Sequence, residues 1–119
     1  MEVAHIGFGV KDLSKSKSFY TRALAPLGLS LIREKPTSVH FGREGRTLLY
    51  IHTREIPPGP FHVAFEAKSR AQVDSFYEAA LAAGGKDNGS PGIRENYSPT
   101  YYAAFVIDPD GHNLEVVCR

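Results

Sequence analysis

Large apolar residues alternate with small or polar ones near the start of the chain, and apolar residues at helical spacing follow. In residues 3–10 (VAHIGFGV) every second position from Ile6 onward is large and apolar, which is typical of a strand with two different faces. The next stretch repeats its apolar residues every three or four positions and predicts a helix. Asp12 or Ser14 can cap the start of this helix, and Pro26 and Gly28 end it.

The chain repeats this strand–helix unit once, at a constant offset of 57 positions. Residues 62–85 (HVAFEAKSRAQVDSFYEAALAAGG) fall on residues 5–28 (HIGFGVKDLSKSKSFYTRALAPLG), with His62 on His5 and Phe76-Tyr77 on Phe19-Tyr20. One offset held over the whole stretch indicates a duplicated supersecondary unit. Two unrelated strand–helix pairs with similar patterning are the alternative.

Three short strands are predicted after each helix, so the element order is βαβββ–βαβββ and the fold class is α+β. We predict two tandem modules, 1–55 and 61–119, in a single domain, joined by a stiff Pro-rich linker at 56–60. The predicted strands of the first module, after residues 3–10, lie near 29–33, 38–41 and 47–52. In the second module we predict a strand at 61–67, a helix at 71–83, a long loop at 86–100 around a short strand at 92–94, and strands at 101–107 and 113–118 joined by the turn Asp108-Pro109-Asp110-Gly111.

Length and charge narrow the classes of protein to consider. The 119 residues suit one domain whose halves are too small to stand alone, so they should share a core within the chain or with a second copy. A net charge of +1 argues against nucleic acid and anionic membrane as partners. With no apolar run of spanning length and no signal-peptide pattern, a cytoplasmic protein is expected.

Three residues could form a metal site. His5 and His62 occupy the same position in the two repeated strands, and each is followed on its own face by a very small residue, as in a strand that a ligand approaches closely. Glu115 alternates with apolar neighbours in the last strand, and a carboxylate there is costly to bury unless it is paired or binds metal. Two imidazoles and a carboxylate are typical of a divalent ion: iron, and also manganese, nickel or zinc. Singly, each histidine could be a satisfied polar group, and Glu115 could be exposed on an edge strand.

At these residues the sequence resembles the vicinal oxygen chelate superfamily, which includes glyoxalase I, extradiol dioxygenases, fosfomycin-resistance thiol transferases and bleomycin-resistance proteins. The stretches that carry the resemblance are HIGFGVKDLSKSKSFY, HVAFEA and FVIDPDGHNLEVV. The resemblance implies a curved mixed sheet around a concave metal site, a homodimer, and His5, His62 and Glu115 as metal ligands. Members of the superfamily form this site either within one chain or across the dimer, and the sequence leaves both arrangements open. It implies a metal-dependent enzyme of the lyase, isomerase, thiol-transferase or dioxygenase type whose small substrate chelates the metal through vicinal oxygens. The alternative is a metal-free binding protein of the bleomycin-resistance type.

One departure from the family pattern and four further residues bear on the substrate. Aligning the two modules on Gly45 and Gly111 places Leu49 opposite Glu115, where glyoxalase I-like members carry a fourth ligand, and this counts against the usual glutathione-dependent chemistry. The candidate substrate contacts lie in and after the long second-module loop, where arginine suits an anionic oxygen and the tyrosines could equally pack at an edge or dimer surface. These candidates are Arg94, Tyr97, Tyr101 and Tyr102.

Overall fold

The computed structural model describes residues 3–54 and 59–119, and within them the order βαβββ–βαβββ is confirmed. The linker predicted at 56–60 falls largely outside the described residues. No helix in the described part of the chain is long and apolar enough to cross a membrane. The elements are β1 Ile6–Gly9, α1 Leu13–Leu24, a 3₁₀ turn Ala25–Leu27, β2 Ser30–Lys35, β3 Ser38–Arg43, β4 Arg46–His52, β5 His62–Glu66, α2 Arg70–Ala82, β6 Lys86–Ile93, β7 Tyr102–Ile107 and β8 Asn113–Cys118.

Both helices begin at side chains that accept hydrogen bonds from otherwise unpaired backbone N–H groups. The carboxylate of Asp12 accepts from the N–H of Lys15, and the hydroxyl of Ser69 accepts from the N–H of Gln72. Gly28 ends the first helical segment with φ of 80°, a left-handed conformation that glycine adopts without the cost of a Cβ. The predicted start and end of α1 are therefore confirmed.

Each module forms its own four-stranded mixed sheet, in the order β1-β4-β3-β2 in the first and β5-β8-β7-β6 in the second. The first strand of each module pairs in parallel with its last strand, and the remaining pairs are antiparallel. β1 and β5 therefore each lie at an edge of their sheet. Their matching positions confirm the duplicated architecture inferred from the repeat.

The two modules share one core. α1 packs on the first sheet, α2 packs on the second, and the two helices pack on each other. Each helix covers one face of its own sheet, and the opposite faces of the two sheets carry neither helix. We call these the first and second outward faces. The fully buried large side chains of the shared core include Phe19, Tyr20, Phe41, Phe76 and Leu114.

The stretch after α2 differs from the prediction of a long loop around a short strand. Residues 86–93 form β6, an eight-residue edge strand whose register against β7 shifts on both sides of Gly89. An edge strand tolerates such bulges and also Pro91, because the missing N–H can face away from the ladder. The turn-rich composition therefore marks an irregular strand here, and only the following segment is a loop.

The turn between β7 and β8 ties the second module to the first. The buried carboxylate of Asp108 accepts hydrogen bonds from the Tyr20 hydroxyl on α1 and from the backbone N–H groups of Asp110 and His112. Asp110 in turn accepts from the N–H of Lys11, just before α1. Burial, reinforced by the charge of Asp108, raises the pKa of the Tyr20 phenol well above its usual value, so the phenol stays a donor.

Replacing Tyr20 with phenylalanine should lower the free energy of unfolding by about 1–3 kcal/mol, because one oxygen of the buried Asp108 carboxylate loses its donor. Urea unfolding at fixed protein concentration measures this change. Lys17→Gln, which removes an exposed ion pair with Glu34, is the control and should cost less than about 1 kcal/mol. An equal, small effect of both substitutions would contradict the proposed importance of this contact.

Candidate functional site

His62 and Glu115 meet on the second outward face. They lie on the neighbouring strands β5 and β8, and the His62 Nε2 is 3.0 Å from the Glu115 Oε1. The Glu115 side chain is only 6% exposed, whereas that of His62 is 47% exposed. The structure thus brings together two of the three residues predicted to bind a metal.

Both ring nitrogens of His62 face oxygen atoms that can only accept. Nδ1 is 3.0 Å from the backbone carbonyl oxygen of Asn113, and Nε2 is 3.0 Å from the Glu115 carboxylate. A neutral imidazole carries one proton and can satisfy only one of these acceptors. With the ring proton on Nδ1 donated to the Asn113 carbonyl, the lone pair of Nε2 faces the Glu115 side chain and could coordinate a metal cation there. This arrangement matches that of metal-ligating histidines, whose second nitrogen commonly donates to a carbonyl.

The other oxygen of Glu115 is held by Tyr101, whose hydroxyl donates a short hydrogen bond to Oε2. This hydrogen bond, together with burial, raises the pKa of Tyr101 to about 12. The phenol therefore remains protonated at neutral pH and keeps donating. The nearly buried carboxylate has a partner on each oxygen, which offsets the cost of removing it from water.

The remaining substrate-contact candidates divide between the two faces of the second sheet. Tyr97 packs against Tyr101 with ring centroids 4.9 Å apart, and the Arg94 guanidinium lies 5.3 Å from the ring centroid of Phe105, the residue opposite Glu115 on β7. Tyr102 does not join them. Because successive strand residues point to opposite faces, Tyr102 points toward α2, where its hydroxyl donates to Asp74 at 2.6 Å.

His5, the third predicted ligand, lies on the first outward face, apart from His62 and Glu115. Its ring is 5.8 Å from that of Tyr50 on β4. Over residues 3–54 and 59–119, no three His, Cys, Asp or Glu side chains of one chain converge closely enough to hold a metal ion. A single chain therefore supplies a pair of donors on the second face and a separate histidine on the first.

The ring of Tyr50 lies directly against Gly7 and leaves no room for a side chain at that position. This corrects the expectation that the small residue leaves open space for a ligand. A Cβ at Gly7 would lie 2.1 Å from Cε1 of the Tyr50 ring. The strand register also corrects the alignment that placed Leu49 opposite Glu115. Gly7 pairs with Tyr50 as its repeat counterpart Ala64 pairs with Glu115, whereas Leu49 is buried on the core side. The position is occupied by tyrosine, so the first module still offers no carboxylate there.

Tyr50 is the centre of an aromatic cluster on the first outward face. The His40 ring stacks on it at 5.2 Å with planes 14° apart, and the His52 ring lies 5.6 Å away. Burial, followed by the positive charges of Arg33 and other neighbours, lowers the pKa of His40. His40, which lies between the hydroxyls of Ser38 and Thr47, is therefore expected to be neutral near pH 7.

Tyr50, Phe105 and the contact of Tyr101 with Glu115 are not among the features predicted from the sequence. The predicted turn could not have placed Phe105, because a hairpin closed by Asp108 and Gly111 would pair Phe105 with Leu114. The observed hairpin is closed by Asp108 and His112, which pairs Phe105 with Glu115. The stacking of Tyr50 on Gly7 likewise has no sequence signal, since side-chain packing across strands depends on a register that only the folded sheet fixes.

Comparison with known proteins identifies the family and the fold. Residues 2–116 match the model of the glyoxalase/bleomycin resistance protein/dioxygenase superfamily. The chain belongs to this superfamily. A glyoxalase/bleomycin resistance protein from Albidiferax ferrireducens T118 has 29% identity and a TM-score of 0.82, with 98% of each chain covered.

More distant solved structures share the fold. A lactoylglutathione lyase from Agrobacterium tumefaciens is 20% identical with a TM-score of 0.72, covering 98% of this chain and 92% of that one. A fosfomycin resistance protein from Mesorhizobium loti is 18% identical with a TM-score of 0.72, covering 99% and 92%. No curated protein sequence matches the chain.

Substituting Gly7 with alanine should destabilise the protein by about 1–3 kcal/mol, because the new methyl group overlaps the Tyr50 ring. A double-mutant cycle checks the cause. In Gly7→Ala/Tyr50→Ala the overlap is gone. The losses in free energy of unfolding of the two single variants, added together, should therefore exceed the loss of the double variant by at least about 1 kcal/mol. Strictly additive values would contradict the contact.

Proposed function

We propose that this protein is a metal-dependent enzyme of the superfamily, acting on a small substrate that chelates a divalent metal through two neighbouring oxygens. The observation that carries this proposal is the His62–Glu115 pair. With Nδ1 facing the Asn113 carbonyl, Nε2 and the Glu115 carboxylate, 3.0 Å apart, form a pair of donors for one cation. A divalent ion with open coordination positions suits this pair, and iron, manganese, zinc and nickel all fit its donor chemistry.

We further propose that a second copy of the chain completes the site. One chain supplies His62 and Glu115, and the edge positions of β1 and β5 allow β1 of a second copy to lie beside β5. His5 of that copy, the repeat counterpart of His62, would then face the pair. Two such contacts related by a two-fold axis would give a homodimer with two equivalent sites.

The residues of the chain would prepare this site before substrate arrives. The Asn113 carbonyl fixes the His62 ring by accepting from Nδ1, and Tyr101 fixes one carboxylate oxygen of Glu115. Phe105 forms an apolar floor beside them, with its ring centroid 6.4 Å from that of His62. The metal, when bound, would act as a Lewis acid that stabilises negative charge on substrate oxygen.

The first module has no carboxylate at the position equivalent to Glu115, and this bears on the reaction type. Tyr50 occupies that place, so three protein ligands are available per site and more positions remain for substrate. This favours reactions of the dioxygenase or thiol-transfer type over a four-ligand glyoxalase I site. Lyase and isomerase chemistry on a chelating substrate fits the same donor set.

A metal-free small-molecule binding protein is the second candidate, and one observation favours it. A doubly protonated His62 would satisfy both Asn113 and Glu115, and Tyr101 satisfies the remaining carboxylate oxygen, so the network can close without a metal. In that case the aromatic groups of the two outward faces would bind the ligand directly.

Elemental mass spectrometry of protein purified without chelator or metal resin should find about one divalent metal per chain. His62→Ala should lose it, since the Glu115 carboxylate alone cannot replace the imidazole. His40→Ala removes a histidine outside the proposed set and should keep the wild-type metal content. If the wild type binds no metal after reconstitution with iron, manganese, zinc or nickel, the binding-protein function is favoured instead.

Combining two variants that each fail to bind metal tests whether the site spans two chains. His5→Ala and Glu115→Ala homodimers should each lack metal. A heterodimer of the two, isolated with two different peptide tags, would pair an intact His5 from one chain with intact His62 and Glu115 from the other. It should therefore recover about half of the wild-type metal content, from one restored site in two. A heterodimer without metal would show that the ligands do not combine across chains.

A further inference from the structure

On the second outward face, Arg94 is a cation that is held in place and has no carboxylate partner among residues 3–54 and 59–119. Its Nη1 donates to the carbonyl of Gly92 at 2.8 Å and its Nη2 to the carbonyl of Ser90 at 2.9 Å. Among the described residues it forms no ion pair, whereas Arg119 at the end of the same sheet is paired with Glu66. A guanidinium has five N–H donors, so three remain available.

The strand beside Arg94 is shaped to admit this guanidinium. A Cβ at Gly89 would lie 3.0 Å from Nη2 and 3.0 Å from the Phe105 ring, and a Cβ at Gly92 would lie 3.3 Å from Nη1. Larger residues at either position would crowd the side chain. The two glycines and the face of Phe105 therefore fix the charge in one place, which lowers the entropy cost of binding a ligand there.

The backbone of Arg94 is also tied to the proposed metal site. Its N–H donates to the carbonyl of Tyr101 at 2.8 Å, and the hydroxyl of the same Tyr101 holds Glu115. The ring of Phe105 lies between the two groups, 5.3 Å from the Arg94 guanidinium and 6.4 Å from the His62 ring. Glu115 already has two partners and does not compete for Arg94.

We propose that Arg94 binds an oxyanion of the substrate, so that the substrates of the proposed site are small anionic compounds carrying a carboxylate, phosphonate or phosphate group. This inference rests on the proposed function in one respect, the assumption that the bound anion belongs to a substrate. The anion-binding property itself does not depend on a metal. Planar guanidinium donors match two oxygens of any of these groups, and charge-assisted hydrogen bonds of this kind are the strong ones.

Nuclear magnetic resonance of the metal-free, ¹⁵N-labelled protein tests anion binding at this residue directly. Sodium methylphosphonate and sodium acetate are titrated separately at constant ionic strength, with the Nε–H resonance of Arg94 and the backbone amides of Gly92 and Tyr101 as reporters. We expect saturable shifts with at least one anion. Tighter binding of methylphosphonate would indicate a phosphonate or phosphate group, and tighter binding of acetate a carboxylate.

Arg94→Gln should weaken this binding at least about tenfold, the loss expected for removing charge-assisted hydrogen bonds. Arg70→Gln is the matched control, because Arg70 also lies over an aromatic ring, 5.1 Å from the centroid of Tyr102, but it lies at the start of α2 on the other face of the sheet. It should leave the dissociation constant unchanged. Non-saturable shifts in the wild type, or equal affinity in Arg94→Gln, would overturn the proposal.

Metal content separates this inference from the proposed function. Arg94→Gln should keep the wild-type metal content, because Arg94 is not among the proposed ligands. Saturable anion binding in a wild type that binds no metal would refute only the metal centre. A wild type that binds metal but shows no saturable anion binding would refute only the role of Arg94.

Discussion

The packing of α1 against α2 is the constraint on which the arrangement of the site depends. Each helix covers one face of its own sheet, and the two helices bury their remaining apolar surface against each other. This packing fixes the two sheets relative to each other. Among the described residues of one chain, His5 does not join His62 and Glu115 in a metal-binding group, although the repeat gives both histidines the same place in their strands. The Asp108–Tyr20 contact reinforces this arrangement by joining the second module to α1.

Glu115 imposes the second constraint, since a carboxylate that is almost fully buried must find donors. Tyr101 supplies one, and the Nε2 of His62 faces the other carboxylate oxygen. The Asn113 carbonyl faces Nδ1, so the two nitrogens of one ring lie between two acceptor groups. The proposed metal and an imidazolium are two ways in which this pair of contacts would be satisfied.

The order of elements, the Asp12 cap of the first helix and the common facing of His62 and Glu115 could be predicted from the sequence, because they follow from local capping, the repeat and period-two facing. The course of residues 86–93 could not, since glycine and proline are as compatible with a bulged edge strand as with a loop. Nor could the separation of His5, because the relative placement of two modules depends on which surfaces bury each other. Leu49 was aligned wrongly since the β3–β4 and β7–β8 turns differ, and matching on glycine shifts the register by one residue.

Two pairs of equivalent positions in the modules differ in a way that bears on the site. Where the second module has Ala64 beside Glu115, the first has Gly7 beneath Tyr50. The second outward face thus carries the buried Glu115 carboxylate. The first outward face carries the Tyr50 ring beside the exposed His5. If the outward faces met within one chain, these differences would specify a single site. In the proposed dimer each site combines one face of each kind, so the same divergence yields two identical sites, each with a metal-binding wall and an aromatic wall.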